Sequence, residues 1–411
     1  MEKNIIEEQL CRMEEEAVRE MLHYYEKRGK QKIKELIKRA AGRYVPPKDL
    51  IFWPTALIAN SLTEWGLEDR FLPDVKNYFD RWIKAGMPIY FVDDVLAGVS
   101  LIDLYKKTKE DKYKKGADKL ADYLFGLERK EGDEKGLIPY RPSQKNGHIY
   151  ADGIGMICSF LIKYGVEFEN IHGVELGLRH MGSMLDLGMD GKTGLPYHGF
   201  RYADGTKYGI IGWGRAVGWI FMSVARSLSC LESYLAGYMT DSTKEKTEAG
   251  ETGEREESGE FLECCKKAYG ELDKAFWELF HTIEPYQKQN GSFGWQLEAM
   301  EGPEDSSATA MIAYGVVMRL DGQGMANGVG RAGGAGKQEV AGSLPESLEV
   351  VRNPAQRAAE YLLSCEKNGK IYQCSAECKG FSEYPQLYGA YPWSLGPGLG
   401  VLRWYGMNFC G

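Results

Sequence analysis

The stretch HIYADGIGMICSFLIKYG, residues 148–165, is apolar on almost every helical face, yet it opens on one carboxylate, Asp152, followed by glycine. An apolar helix of this kind is buried all round rather than on one side. A carboxylate at its head is costly to keep unless something satisfies or uses it. Five further segments share the build, an aromatic, small or acidic cluster followed by a run with few charges: FWPTALIANSL from Phe52, FVDDVLAGVSLIDLY from Phe91, GWGRAVGWIFMSVA from Gly212, GPEDSSATAMIAYGVVMRL from Gly302 and YPWSLGPGLGVLRWYG from Tyr391. Between them lie helices with a plainly charged face, at Asp74 to Ala85, Asp111 to Glu128, Gly173 to Leu187, Glu260 to Phe280 and Pro354 to Ser364, and a long N-terminal helical region runs to about Ala41.

Six apolar helices alternating with six amphipathic ones predict an all-α fold, an (α/α)6 barrel, with the apolar set inside and the amphipathic set outside. Alternating strand patterns are scarce, and short β-prone pieces such as Lys370 to Gln373 do not set the fold. Gly98, Gly153, Gly155, Gly218 and Ala310 let the inner helices pack closely. The starts of the inner helices point to one end of the barrel, where unpaired backbone N–H groups favour anions. The clusters at those starts therefore converge.

The 411 residues are 43% hydrophobic and 12% aromatic, enough for a large core, and the rhythm makes one domain of residues 1–411. Two segments interrupt it. Residues 240–259 are charged and nearly free of apolar side chains, and residues 321–343 are rich in Gly and Ala; both read as flexible surface insertions. A net charge of -8 with no basic stripe argues against a nucleic-acid partner. No stretch approaches the roughly 20 apolar residues of a membrane span. Nine scattered cysteines, an odd number, suit a reduced cytoplasmic protein, and the spacing of Cys374 and Cys378 is a poor metal signature.

Asp93 and Asp152 occupy equivalent places at two inner-helix starts. Two carboxylates in one cleft push their proton affinities apart, so that one donates a proton while the other stays ionised, which suits glycoside chemistry. Each could instead only cap its helix, which is the reading preferred for Asp94. The segment from Gly194 to Trp219 adds His198, Trp213, Arg215 and Trp219: indole faces stack on sugar rings and a guanidinium grips a carboxylate. Alternatively Trp219 is core, and Arg215 holds Asp93 or Glu304 in a structural pair.

These residues carry a resemblance. The chain looks like the unsaturated glucuronyl and rhamnogalacturonyl hydrolases, glycoside hydrolase families 88 and 105, the second more closely. Asp93 and Gly98 match an aspartate, four residues and a glycine; IYADGIGM resembles the family's aromatic-x-Asp-Gly-x-x-Met motif; Tyr197 and His198 match a tyrosine-histidine pair; GWGRAVGW matches Trp-x-Arg-x-x-Gly-Trp; and PEDSSATA resembles Glu-x-Ser-x-x-Ala. The chain departs from the family at Thr55, where a tyrosine is usual, at Pro139, Tyr140 and Arg141 in place of Trp-His-Lys, and at Arg201.

The resemblance implies a substrate, an oligosaccharide ending in a 4,5-unsaturated uronic acid left by a polysaccharide lyase. It also implies roles: Asp152 as general acid and base, Asp93 orienting the substrate, Trp213 and Trp219 as platform, and Arg215 and His198 as hydrogen-bonding groups. Tyr150 walls the site, and Tyr140 and Arg141 shape the subsites. The chemistry requires no cofactor or metal, and a site complete in one barrel requires no second subunit. Other readings of the same residues are an inverting glycosidase on saturated glycosides, a sugar epimerase, for which His148, His198 and His281 are the histidines to search, and a non-catalytic sugar-binding scaffold.

Overall fold

A computed structural model describes residues 3–24, 33, 36–38, 40–42, 48–64, 68–132, 135–142, 146–242, 252–326 and 346–409. Twelve helices account for most of them. The inner set is α2 (Trp53–Thr63), α4 (Ala97–Thr108, entered through a 3-10 turn at Val92–Leu96), α6 (Ala151–Glu167), α8 (Gly214–Ser242), α10 (Ser306–Ala326) and α12 (Pro392–Phe409). The outer set is α1 (Lys3–His23), α3 (Leu72–Lys84), α5 (Asp111–Glu131), α7 (Ile171–Ser183), α9 (Thr252–Ile283) and α11 (Glu346–Cys365).

Burial separates the two sets as the polarity pattern predicts. Every residue of α2 is buried, whereas α3 buries only Val75, Tyr78, Phe79 and Trp82, spaced as one helical stripe. Each inner helix packs on the next, α2 on α4, α4 on α6, α6 on α8, α8 on α10, α10 on α12 and α12 back on α2, so the ring closes. The outer helices lie against it, α5 on α4, α7 on α6, α9 on α8, α11 on α10 and α1 on α12. This is the (α/α)6 barrel. Away from the helix starts, buried charges are paired: Arg226 with Glu64, and Arg403 with Glu14 at 2.9 Å.

Close packing in the ring depends on particular glycines. A Cβ at Gly98 on α4 would lie 2.2 Å from the Phe160 ring on α6, and one at Gly155 would lie 2.8 Å from the Trp219 carbonyl on α8. Phe160 is itself fully buried, so it has no open space to turn into. Gly98→Ala is therefore expected to destabilise the barrel by about 1–3 kcal/mol, read as a lower thermal midpoint, whereas Gly182→Ala, with nothing within 4 Å, should leave it unchanged.

The strands are few but they matter for the site. β1 (His148–Tyr150), β2 (Gly199–Arg201) and β3 (Lys207–Tyr208) form one antiparallel sheet. β4 (Glu366–Lys367) pairs with β5 (Lys370–Ile371), and β6 (Cys374–Ser375) with β7 (Tyr388–Gly389). Two helix ends differ from the periodic reading. The outer helix expected to reach Leu187 is α-helical to Ser183 and continues as a π turn over Met184–Gly188, and α11 begins before Pro354 and carries it inside. Helices α8, α9 and α10 run into the two segments expected to be insertions, and residues 243–251 and 327–343 of those segments lie outside the described residues. Among the described residues no helix is long and apolar enough to cross a membrane.

Candidate active site

Strand β1 delivers the chain into α6, so Asp152 falls in the first helical turn. The register places Tyr150 opposite Gly199, and the Ala151 N–H donates to the His198 carbonyl at 2.8 Å. The sheet thereby brings together two residues 46 apart in sequence: His198 Nε2 lies 2.7 Å from Asp152 Oδ2. The imidazole is fully buried, while the Asp152 side chain keeps 15% exposure toward the pocket. On its other side His198 Nδ1 lies 2.7 Å from the Tyr384 hydroxyl. Aromatic rings box it in, with Trp213 at 4.6 Å, Tyr150 edge-on at 5.2 Å and Phe381 edge-on at 5.3 Å between centroids. Phe381 also stacks flat on Tyr150 at 4.0 Å, an approach that needs Gly199, where a Cβ would meet the Ile149 carbonyl at 2.2 Å and Phe381 at 2.8 Å.

Tyr140, Arg141, Tyr150, Asp152, His198, Trp213, Arg215 and Trp219 line one pocket at the inner-helix starts. Asp93 is not in that lining. It is tied to a residue of that lining instead, the Tyr140 hydroxyl donating to Asp93 Oδ2 at 3.2 Å. Burial pushes the Asp93 carboxyl up to about 7, with Asp49 and Glu377 adding to the rise. Its neighbour Asp94 takes the capping role, accepting from the backbone N–H of Tyr90 at 2.7 Å and of Phe91 at 3.1 Å.

The raised Asp93 carboxyl makes a prediction. Folded Asp93 holds its proton to about pH 7, whereas an unfolded aspartate releases it near pH 4. Between those values the folded chain binds more protons, so this group's stabilisation is complete at low pH and is lost as pH rises through about 7. Asp93→Asn should flatten the fall of the melting temperature across that window; equal slopes for the two proteins would refute the assignment.

Arg215 is engaged differently from either sequence reading. Its guanidinium is 3% exposed for the whole residue and donates to the Ser375 carbonyl at 3.0 Å, to the Ala376 carbonyl at 2.7 Å and to the Ser375 hydroxyl. Its carboxylate partner is Asp305, at 3.9 Å, rather than Asp93 or Glu304. Asp305 also accepts from the Ser307 and Ser375 hydroxyls, each at 2.6 Å. With both terminal nitrogens committed to the 375–376 backbone, Arg215 fixes the loop between β6 and β7. Arg141, exposed at the pocket mouth, has no ion-pair partner among the described residues.

The other departures lie apart from the pocket. Thr55 bonds the Tyr78 hydroxyl at 2.8 Å, and Arg201 pairs on the surface with Asp204 at 2.9 Å. His148 packs on Tyr208 and Phe381, and His281 packs on Trp277 along α9. Among the described residues His198 is thus the one histidine lining the pocket.

Sequence reasoning missed Glu377, Cys378 and Gly380, which line the same pocket, with Phe381 and Tyr384 behind them. Burial raises the Glu377 carboxyl, Arg215 opposes the rise and Asp152 adds to it. Trp53 was visible only as a helix start; it meets Trp219 edge-on at 5.8 Å and Trp393 at 5.3 Å, giving the pocket an indole floor. The available signal for the loop was its aromatic density just ahead of the last inner helix, in CKGFSEYPQLYGAYPW. Among the described residues no group of three His, Cys, Asp or Glu side chains could hold a metal.

A closed double ring of helices with a carboxylate, a histidine and stacked aromatics at the inner-helix starts defines a six-hairpin helical fold of the kind glycoside hydrolases use. Residues 17–240 match Glycosyl Hydrolase Family 88, and the chain belongs to that family. Among curated proteins it is similar to the unsaturated rhamnogalacturonyl hydrolase YesR of Bacillus subtilis (strain 168), 26% identical over 168 residues, which are 40% of this chain and 48% of the relative. The chain thus aligns with about half the length of that relative. Among solved structures it resembles a possible member of the GH105 family from Klebsiella pneumoniae, with TM-score 0.72 and 13% identity over 100% of this chain and 94% of that one. It also resembles an unsaturated glucuronyl hydrolase responsible for the degradation of glycosaminoglycan, from Bacillus sp. GL1, with TM-score 0.56 and 15% identity over 88% of each chain. At those identities the likeness is one of fold.

Proposed function

We propose that this protein removes a terminal 4,5-unsaturated uronic acid from lyase-generated oligosaccharides by hydrating its double bond. The observation that carries this reading is Asp152 held at 2.7 Å by a buried histidine inside an aromatic pocket of a family 88 chain. The names of the relatives point the same way. A ring oxygen beside C4=C5 makes the sugar a vinyl ether. Proton delivery to C4 leaves an oxocarbenium ion at C5, and water adds there to give a hemiketal. That hemiketal opens to a C5 ketone, freeing the ring oxygen as a hydroxyl on C1, and the resulting hemiacetal at C1 expels the leaving sugar. One water is consumed and no redox change occurs.

In this scheme Asp152 supplies the proton through Oδ1, because Oδ2 is occupied by His198, and as carboxylate it then takes the proton of the attacking water. Trp213 and Trp219, expected from the sequence as a sugar platform, are each 1% exposed and instead back the pocket as its packed wall. The Trp213 indole N–H is buried without a hydrogen-bond partner among the described residues. Arg141 holds the substrate carboxylate at the mouth. Asp93 acts through Tyr140, steadying that hydroxyl against the sugar. A place in the reducing cytoplasm, on the scattered cysteines, and a single catalytic domain spanning 1–411 are parts of the same proposal.

The test is a panel of unsaturated disaccharides made by lyases from pectin, glycosaminoglycans and other uronate polymers, followed by ultraviolet absorbance. Loss of the chromophore on any member supports the reaction, and the ranking reveals the leaving sugar. Turnover of saturated glycosides with every unsaturated chromophore intact would overturn it. An epimerase that shuttles protons between two histidines is disfavoured by the single histidine lining the pocket.

A further inference from the structure

We propose that Tyr384 is a positioning residue that fixes the ring tautomer of His198 and, through it, keeps the acidic proton of Asp152 on the oxygen that faces the substrate. This rests on the reading of Asp152 as proton donor. The three groups form one chain, from the Tyr384 hydroxyl to His198 Nδ1 at 2.7 Å and from His198 Nε2 to Asp152 Oδ2 at 2.7 Å. The Tyr384 oxygen receives the backbone N–H of Ile210 at 3.4 Å, which directs its own hydrogen toward His198 Nδ1. Burial pushes the Tyr384 hydroxyl above its ordinary range, so it stays a donor across the working pH.

A neutral imidazole has one N–H. With Nδ1 accepting from Tyr384, that hydrogen sits on Nε2 and donates to Asp152 Oδ2. A neutral carboxylic acid that accepts at Oδ2 carries its proton on Oδ1, the oxygen left for the pocket. When Oδ1 gives the proton up, the Nε2–H bond to the new carboxylate strengthens, so the interaction favours the transition state over the ground state. In the other tautomer the bare Nε2 would accept from Asp152 and draw the proton to Oδ2, away from the sugar. Among the described residues the aromatic box of Trp213, Tyr150 and Phe381 offers Nδ1 no other polar partner. Tyr384 reaches the site because Arg215 ties down the strand at Ser375 and Ala376, where its loop begins.

The direct test is nitrogen NMR of His198 in the full-length protein near neutral pH, its signals assigned by their loss in His198→Gln. The expected result is Nε2 protonated and Nδ1 bare in the native protein, and a mixture of tautomers in Tyr384→Phe. That variant keeps the ring packed against Trp213 and Trp295, so the fold is retained. On an unsaturated disaccharide it should lower kcat by about 10- to 100-fold with KM changed less than about twofold. Protonated Nδ1 in the native protein, or an unchanged tautomer and kcat in Tyr384→Phe, would overturn the proposal. A native enzyme inactive on every unsaturated disaccharide but carrying the expected tautomer would defeat the reaction assigned above and leave the Tyr384 to His198 bond standing.

Discussion

Asp152→Asn should lower kcat on a 4,5-unsaturated disaccharide by about 10²- to 10⁴-fold, the range that a positioned general acid contributes. Asparagine has the size and shape of the aspartate, and its side-chain oxygen still accepts the His198 Nε2–H. The first turn of α6 and the sheet that feeds it are therefore undisturbed, and the melting temperature and KM should stay close to those of the native protein. What is lost is the transferable proton, together with the carboxylate that would later activate water. The comparison is made by measuring initial rates and thermal midpoints on both proteins. A variant with the native rate would remove Asp152 from the chemistry, and one that fails to fold would make it a capping residue, the alternative that its place at a helix start allows.

Arg215→Ala should destabilise the protein by about 3–5 kcal/mol, the cost of removing one partner from a buried charged pair. The loss falls on several groups at once. Asp305 is fully buried and loses its cation, and the carbonyls of Ser375 and Ala376 lose their donor. The cation stacked over the Trp213 ring at 4.6 Å goes too. Activity should also drop, because the freed loop carries Glu377, Phe381 and Tyr384. Arg215→Lys keeps the charge but cannot bridge two carbonyls and a hydroxyl in one plane, so it should fall between the two. Thermal midpoints of the three proteins check this. Native stability in Arg215→Ala with a raised KM alone would return Arg215 to the substrate-carboxylate role that its type and motif suggest.

The barrel was legible because its two helix classes differ in the quantity that decides burial. The all-buried α2 and the striped α3 differ in how polar residues are spaced, a property of sequence alone. The same logic located the site, since helix starts at one end of a ring must converge. Partnerships were not legible. Asp93 and Asp152 are alike in sequence, and only the fold shows that Asp152 lines the pocket while Asp93 bonds to its lining residue Tyr140. Arg215 reads as a substrate anchor until the neighbouring Asp305 and the 375–376 carbonyls are seen around it. Strands β1 to β3 are two or three residues each, too short for alternation to register, although they set the 2.7 Å contact between His198 and Asp152. The loop holding Glu377, Phe381 and Tyr384 has no periodicity at all, so nothing local marks which of its side chains turn inward.

Proton NMR of an unsaturated disaccharide incubated with the enzyme in heavy water, followed at early conversion, tests the central claim most directly. The account predicts that the olefinic C4–H signal disappears in step with the appearance of the free leaving sugar, and that one deuterium enters C4. Release of the leaving sugar with the olefinic signal intact would mean cleavage at C1 without hydration, and would contradict it.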